Sequence, residues 1–351
     1  MRIEMRREWA RRGNGMTSTD FSRVALELLG DDESSVTWLA SVASLDDPEA
    51  VAALPAAHEL APVLLDLAVP HEDIDLLVSL AKQVDGSAAL TWMLTRCVHS
   101  FTVRLGQIGG LVPLPSFRNL PPPLAGYFPV LVCVAALPHA VAYHQSRGIP
   151  DDVSRRTFAD LGRNIAVHRK RHGVGGLHAP GWQTLHLTGA LYDLGRLQFE
   201  RARLGKTTSA GMRAAGFACE PGDFTLSVHI PDFSGPMSPE ACDASFAQAR
   251  AFFARHFPDE RFATAVCHSW LMDEQLVEYL PEPSNIMRFQ KRFRLAYQYD
   301  GDHNDGPLGF VFGRTIEDLD ELPCDTTLQR AIVDHIRGGG QWHGGAGWLE
   351  L

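Results

Sequence analysis

The sequence predicts an α+β protein, with an α-helical N-terminal domain followed by a mixed β-sheet domain flanked by helices. Three observations carry this. The chain has 351 residues, more than one hydrophobic core usually serves, so two domains are expected. From Asp20 to about Arg147 apolar residues recur at helical spacing, as in Phe21-Ser-Arg-Val-Ala-Leu-Glu-Leu-Leu and Ile74-Asp-Leu-Leu-Val-Ser-Leu-Ala-Lys. Beyond Gly148-Ile-Pro the texture changes, and alternating apolar runs appear between helical ones.

Residues 1–19 read as a flexible basic tail carrying Arg2, Arg6, Arg7, Arg11 and Arg12. Residues 20–150 form the helical domain, punctuated by Gly30-Asp-Asp, Asp46-Asp-Pro and a proline cluster from Pro113 to Pro123. The apolar stretch Leu124 to Tyr143 has the length of a membrane span, but Pro129, Pro138 and His139 interrupt it, so it reads as a buried helix.

A sheet domain is expected over 151–335. It opens with a helix capped by Asp151 or Asp152 that runs to about His172. Strands are expected at Trp182 to Thr188, at Leu191 to Ala202 with a bulge at Gly195, and at Phe224 to Ile230. A helix from Pro239 to His256 follows, then a strand from Phe262 to Leu271 and two short helices. Strands at Arg294–Tyr299 and Gly309–Gly313 complete the domain. The glycine-rich end, 336–351, reads as a loose tail.

Composition narrows the function. With 42 acidic against 32 basic residues, the formal charge is -10, which disfavours nucleic acid and anionic membranes as partners. The six cysteines contain no C-x-x-C pair and read as core residues of a reducing compartment, hence a cytoplasmic protein. No apolar run follows the basic start, so it is not read as a secretory signal. No metal is expected, since His168-Arg-Lys-Arg-His172 sets three cations between its histidines and is not H-E-x-x-H. The turn Asp300-Gly-Asp-His-Asn-Asp-Gly lacks the spacing and terminal Glu of a calcium loop.

The most informative segment is Phe224-Thr-Leu-Ser-Val-His-Ile-Pro. Phe224, Leu226, Val228 and Ile230 face one side, and Thr225, Ser227 and His229 face the other. Pro231 has no N–H to continue a ladder. Asp232-Phe-Ser-Gly-Pro-Met then leads to Ser238 as N-cap and Pro239 at the first helical position. Freed amides beside Val228 and Ile230, with Ser234, Gly235, Met237 and Ser238 ahead of the helix, make a candidate cradle for a phosphate-bearing ligand. A plain strand–loop–helix joint that binds nothing is the alternative. His186 and His229 are the candidate general bases, each of which equally suits a hydrogen-bonded structural histidine.

Taken together, Trp182-Gln-Thr-Leu-His-Leu-Thr, Val228-His-Ile-Pro with Gly235-Pro-Met, Cys242-Asp-Ala-Ser-Phe and Cys267-His-Ser-Trp-Leu-Met-Asp resemble a two-domain family of GCN5-related (GNAT) acyltransferases. Its best-understood members are the teicoplanin-type glycopeptide N-acyltransferases. The resemblance covers residues 150 to 315 most strongly. It implies a GNAT-like sheet domain and acyl-coenzyme A as donor. It also implies an amine acceptor, such as an amino sugar or peptide of secondary metabolism, and pyrophosphate at the helix after the fourth strand. On this view His186 is the first-choice base and His229 the second, with Ser269 or Ser284 protonating the leaving thiolate. The usual R/Q-x-x-G-x-G/A loop is absent, and Ser234-Gly-Pro-Met-Ser stands in its place. A non-catalytic acyl-coenzyme A sensor with the same fold is the competing expectation.

Overall fold

The structure is a computed structural model and describes residues 17–48, 51–232, 234–313 and 319–351. The chain divides into two compact units, Met1–Ala190 and Leu191–Leu351.

The first unit is helical: α1 (Ser18–Leu29), α2 (Glu33–Ala43), α3 (Ala57–Asp66), α4 (His71–Asp85), α5 (Ala88–Thr102), α6 (Leu124–Ser146), α7 (Asp151–Phe158), α8 (Asp160–His172) and α9 (Pro180–Leu187). Side-chain caps start several of them. Thr17 and Asp20 form a capping box at α1, and the Asp32 carboxylate accepts from Ser35 N at α2. Phe21, Trp38 and Trp92 pack their rings in one core, with centroids 6.3 and 6.4 Å apart. Burial of such rings contributes roughly 1.5–3 kcal/mol each. The long apolar α6 is the core helix, buried from Tyr127 through Ala136 and packed against α5 and α9.

Three expectations are corrected here. The boundary between units lies at Ala190, not near residue 150, so α7 to α9 belong to the helical unit. Trp182–Thr188 is not a strand, because Pro180 opens a helix that carries Trp182 and His186 at i and i+4. Of the expected basic tail, residues 1–16 lie outside the described residues, while Thr17 caps α1 and Ser18 and Thr19 begin it.

The second unit is built on a six-stranded mixed sheet of order β1-β2-β3-β4-β6-β5. Its strands are β1 (Leu191–Leu194), β2 (Leu197–Arg203), β3 (Phe224–His229), β4 (Thr264–Ser269), β5 (Arg294–Gln298) and β6 (Gly345–Glu350). In place of the expected bulge, Gly195 and Arg196 make a two-residue hairpin turn between Leu194 and Leu197, with Gly195 at φ +95°. Helix α10 (Lys206–Ala214), unforeseen in the sequence, packs against β5, where a Cβ on Gly211 would collide with the Ala296 carbonyl. Helix α11 (Pro239–His256) crosses between β3 and β4, which makes them parallel. It packs on β1 and β2, with Phe246 edge-on to Phe199 at 5.4 Å.

The glycine-rich end is no loose tail. Residues 345–350 form β6, which pairs with β4 on one side and β5 on the other. A Cβ on Gly347 would strike Met272 and Phe293, so the small residue makes room for them, and Trp348 is fully buried. Gly309–Gly313 is likewise not a strand, since Leu308–Phe312 forms a π-helical turn. Helices α12 (Leu276–Tyr279), α13 (Asn285–Gln290) and α14 (Thr327–Arg337) complete the unit.

Candidate active site

The sheet opens between β3 and β4. Their ladder partners are Leu226↔Ala265 and Ser227↔Val266, and the pairing stops there. Pro231 supplies no N–H beyond the end of β3, as the sequence predicts. Past the last pair, Val228, His229 and Ile230 form one wall of a cleft of about 410 Å³, and Cys267, His268 and Ser269 form the other. Trp270, Leu271, Tyr299, Gly344 and the 302–310 segment close the sides.

Strand alternation decides which side chains face the opening. In the antiparallel β2–β3 register Gln198 lies opposite His229, and Glu200 opposite Ser227. Gln198, Glu200, Ser227 and His229 therefore share a face. The diagonal neighbours meet, and His229 Nε2 lies 2.9 Å from Glu200 Oε2. One strand further, the parallel register carries His268 to the same level on the same face. Its Nδ1 lies 3.0 Å from the Tyr299 hydroxyl. Solvent reaches the His268 ring from the cleft, yet the crowding walls lower its pKa mainly by desolvation. The charge of His229 lowers it further, and Glu200 partly offsets both. Burial also pushes the Tyr299 hydroxyl up to about 12.

The same C-terminal end of β3 continues through Pro231 to α11. Ser238 caps that helix, its Oγ accepting from Ala241 N at 3.2 Å. Glu240 sits in the first turn, where its own backbone N–H and the Ser238 hydroxyl hold its carboxyl low. Gly235 has φ +77° and open space around its Cα, so the chain turns there without a side chain in the way. Arginines surround the loop: Arg196 Nη1 donates to Pro231 O at 3.3 Å, and Arg292 Nη2 to Pro239 O at 2.9 Å.

The expected site residues thus fall into three places. Val228, His229 and Ile230 line the cleft. Ser234, Gly235, Met237 and Ser238 lie outside its lining, on the loop that enters α11. His186 stands in the helical unit, 1% exposed on α9, with Nε2 3.4 Å from Asp160 Oδ2. Gln183, Asn164 and Arg163 converge on the same carboxylate. His186 thus lies within a buried polar network, and it is not among the residues that line the cleft of the sheet unit. Ser269 spends its hydroxyl on Leu271 N, and Ser284 caps α13 through Met287 N. Among the described residues no group of three or more His, Cys, Asp or Glu is arranged to hold a metal ion.

Sequence reasoning missed Glu200, His268 and Tyr299. Glu200 lies on the polar face of β2 at the alternation Gln198-x-Glu200, but only the register pairs it with His229. Tyr299 is seated by the glycine-rich end: its N–H donates to Gly344 O at 2.8 Å, and a Cβ on Gly344 would strike its ring.

A parallel strand pair that opens ahead of a crossover helix, within a mixed sheet, defines a GNAT-type acyltransferase. Residues 191–349 match the GNAT-like C-terminal domain, and residues 58–189 match the N-acyltransferase N-terminal domain. The chain belongs to this two-domain N-acyltransferase family. It is similar to the crystal structure of an acyltransferase in complex with decanoyl-CoA, at 33% identity and a TM-score of 0.84. It is also similar to acyltransferase structures in complex with decanoyl-CoA and teicoplanin, and with CoA and 10C-teicoplanin, at 35% identity and TM-scores of 0.81 and 0.82. Each match covers 94% of this chain and 99% of the other. No curated protein is significantly similar to the chain.

Proposed function

We propose that this acyltransferase moves an acyl group from acyl-coenzyme A to the amine of an amino sugar or peptide, with His229 as general base. The observation that carries it is the Glu200–His229 pair at the mouth of the opened β3–β4 ladder. In that position an imidazole faces the strand edge along which a thioester would lie. The carboxylate fixes its tautomer and stabilises the imidazolium that forms.

The reaction then follows from the geometry. The amine nitrogen attacks the thioester carbon as His229 removes a proton. Amides beyond the last β3–β4 pair, around Val228–Ile230, bear the charge that develops on the carbonyl oxygen. The phosphates would lie toward Ser234–Ser238, where Gly235 leaves room and Arg196 supplies positive charge, while Arg292 is paired with Asp243. That end is not vacant of anions, because Glu240 occupies the first turn. A bound pyrophosphate displaces that carboxylate from its amide. The similar structures bound to teicoplanin support a glycosylated peptide as the acceptor class.

Thiol release from decanoyl-coenzyme A, with a teicoplanin-class peptide as acceptor, tests this. The His229→Ala enzyme is expected to lose about 10²–10⁴-fold in turnover while still binding donor. A near-normal rate overturns the assignment of the base. Tight coenzyme A binding by the unmodified protein without turnover of any amine favours the sensor instead.

A further inference from the structure

The cleft contains a second imidazole that the single-base scheme leaves unused. His268 lines the same cavity as His229, from the facing strand. Both follow the last β3–β4 pair by two residues, so both project from one face at one level. Tyr299 engages Nδ1 of His268, which leaves Nε2 as the nitrogen available for proton exchange. The groups around it are Glu200 and His229 on the sheet, Tyr297 and Tyr299 from β5 and its extension, and Asp302, His303 and Asp305 from the following turn.

Proton accounting gives this pair a purpose. Near neutral pH an alkylamine acceptor arrives as R–NH₃⁺, and the carboxylates of Asp302 and Asp305 on the cleft wall favour that form. An ammonium has no lone pair. Becoming an amide nitrogen, it must lose two protons: one ends on the coenzyme A sulfur and one in solvent. A single imidazole holds one.

Resting on the proposed acyl transfer, we infer that His268 is a second catalytic residue, which takes the first proton from the acceptor's ammonium before His229 takes the second. The steps balance. Nε2 of His268 accepts one N–H proton, and the freed lone pair forms the C–N bond. The C–S bond breaks with its electron pair going to sulfur, and His229 removes the second N–H proton. One imidazolium protonates the thiolate and the other discharges to solvent. Tyr299 is a positioning residue in this scheme, since it acts through His268. The lowered pKa of His268 suits the role, because it keeps the ring neutral and ready to accept while the acceptor is still charged.

The test compares His268→Gln, His229→Gln and the unmodified enzyme across pH 6 to 10, with decanoyl-coenzyme A and a teicoplanin-class amine. The His268→Gln enzyme is expected to fall about 10²-fold at the acid end and to recover to within about threefold at the alkaline end, where the amine deprotonates unaided. The His229→Gln enzyme is expected to stay low throughout. A deficit in His268→Gln that is independent of pH, or no deficit, overturns the inference. A fully active His229→Gln enzyme instead overturns the base assigned above. A readout independent of turnover is the NMR titration of the His268 ring. It is expected to move to higher pH in His229→Gln, and an unmoved titration shows that the two rings do not share the cleft.

Discussion

A half-buried and a fully buried histidine, each beside a carboxylate, separate by what surrounds them. His229 and His186 are each beside an acidic oxygen, but the first opens into a cleft and the second is enclosed in helices. Glu200→Gln keeps the shape of the His229 contact and removes its charge. It is expected to lower turnover about 10²-fold with donor binding retained, as read from saturation kinetics. His186→Ala is expected to lower the melting temperature without that selective loss. The neighbouring His144 is 1% exposed, with Nδ1 2.8 Å from Ser154 Oγ. Burial first, and the charge of His186 second, push its pKa down to about 4. The unfolded chain therefore binds this proton first as pH falls, so stability is present above about 6.5 and is lost between 6.5 and about 4. The loss is on the order of 3 kcal/mol. A melting temperature that falls less steeply over that range in His144→Asn than in the parent is the expected result.

Elements whose local chemistry agrees with their surroundings were legible from sequence. The strand Phe224–His229 alternates, Pro231 stops it, and Ser238-Pro239 starts α11, each through a contact within a few residues. The failures share a cause. Trp182–Leu187 carries apolar residues at positions that suit either period, and Pro180 decided it for a helix. Gly345–Glu350 has weak intrinsic strand propensity and is made a strand by β4 and β5 on both sides, which no local pattern reveals. The same limit hid the Glu200–His229 pairing, which exists only through register. At α11 the sequence marks the helix start through Ser238, Pro239 and Glu240, but not that the Glu240 carboxylate holds its own backbone amide there. Glu240→Gln is expected to tighten coenzyme A binding by about 3- to 5-fold, measured calorimetrically, by removing a like charge from the helix N-terminus. Gly211→Val, forced against Ala296, is expected to cost about 1–3 kcal/mol in denaturant unfolding.

At the scale of the molecule, the chain pairs a helical unit with a sheet unit, each with its own core. The order of units was readable from the change in periodicity, whereas the boundary at Ala190 was not, since α7 to α9 continue the helical pattern past a turn that looks like a linker. β6, the last strand in sequence, inserts between β4 and β5 and so joins two strands that do not pair with each other. During synthesis β1 to β4 emerge first and present a raw edge at β4, while β5 has no strand to pair with until Gly345–Glu350 is made. The sheet unit thus cannot ripen strand by strand behind the ribosome. The backbone of Tyr299 gains its Gly344 partner only once that residue is made, so a nascent chain or a late frameshift product holds an incomplete, aggregation-prone half-sheet.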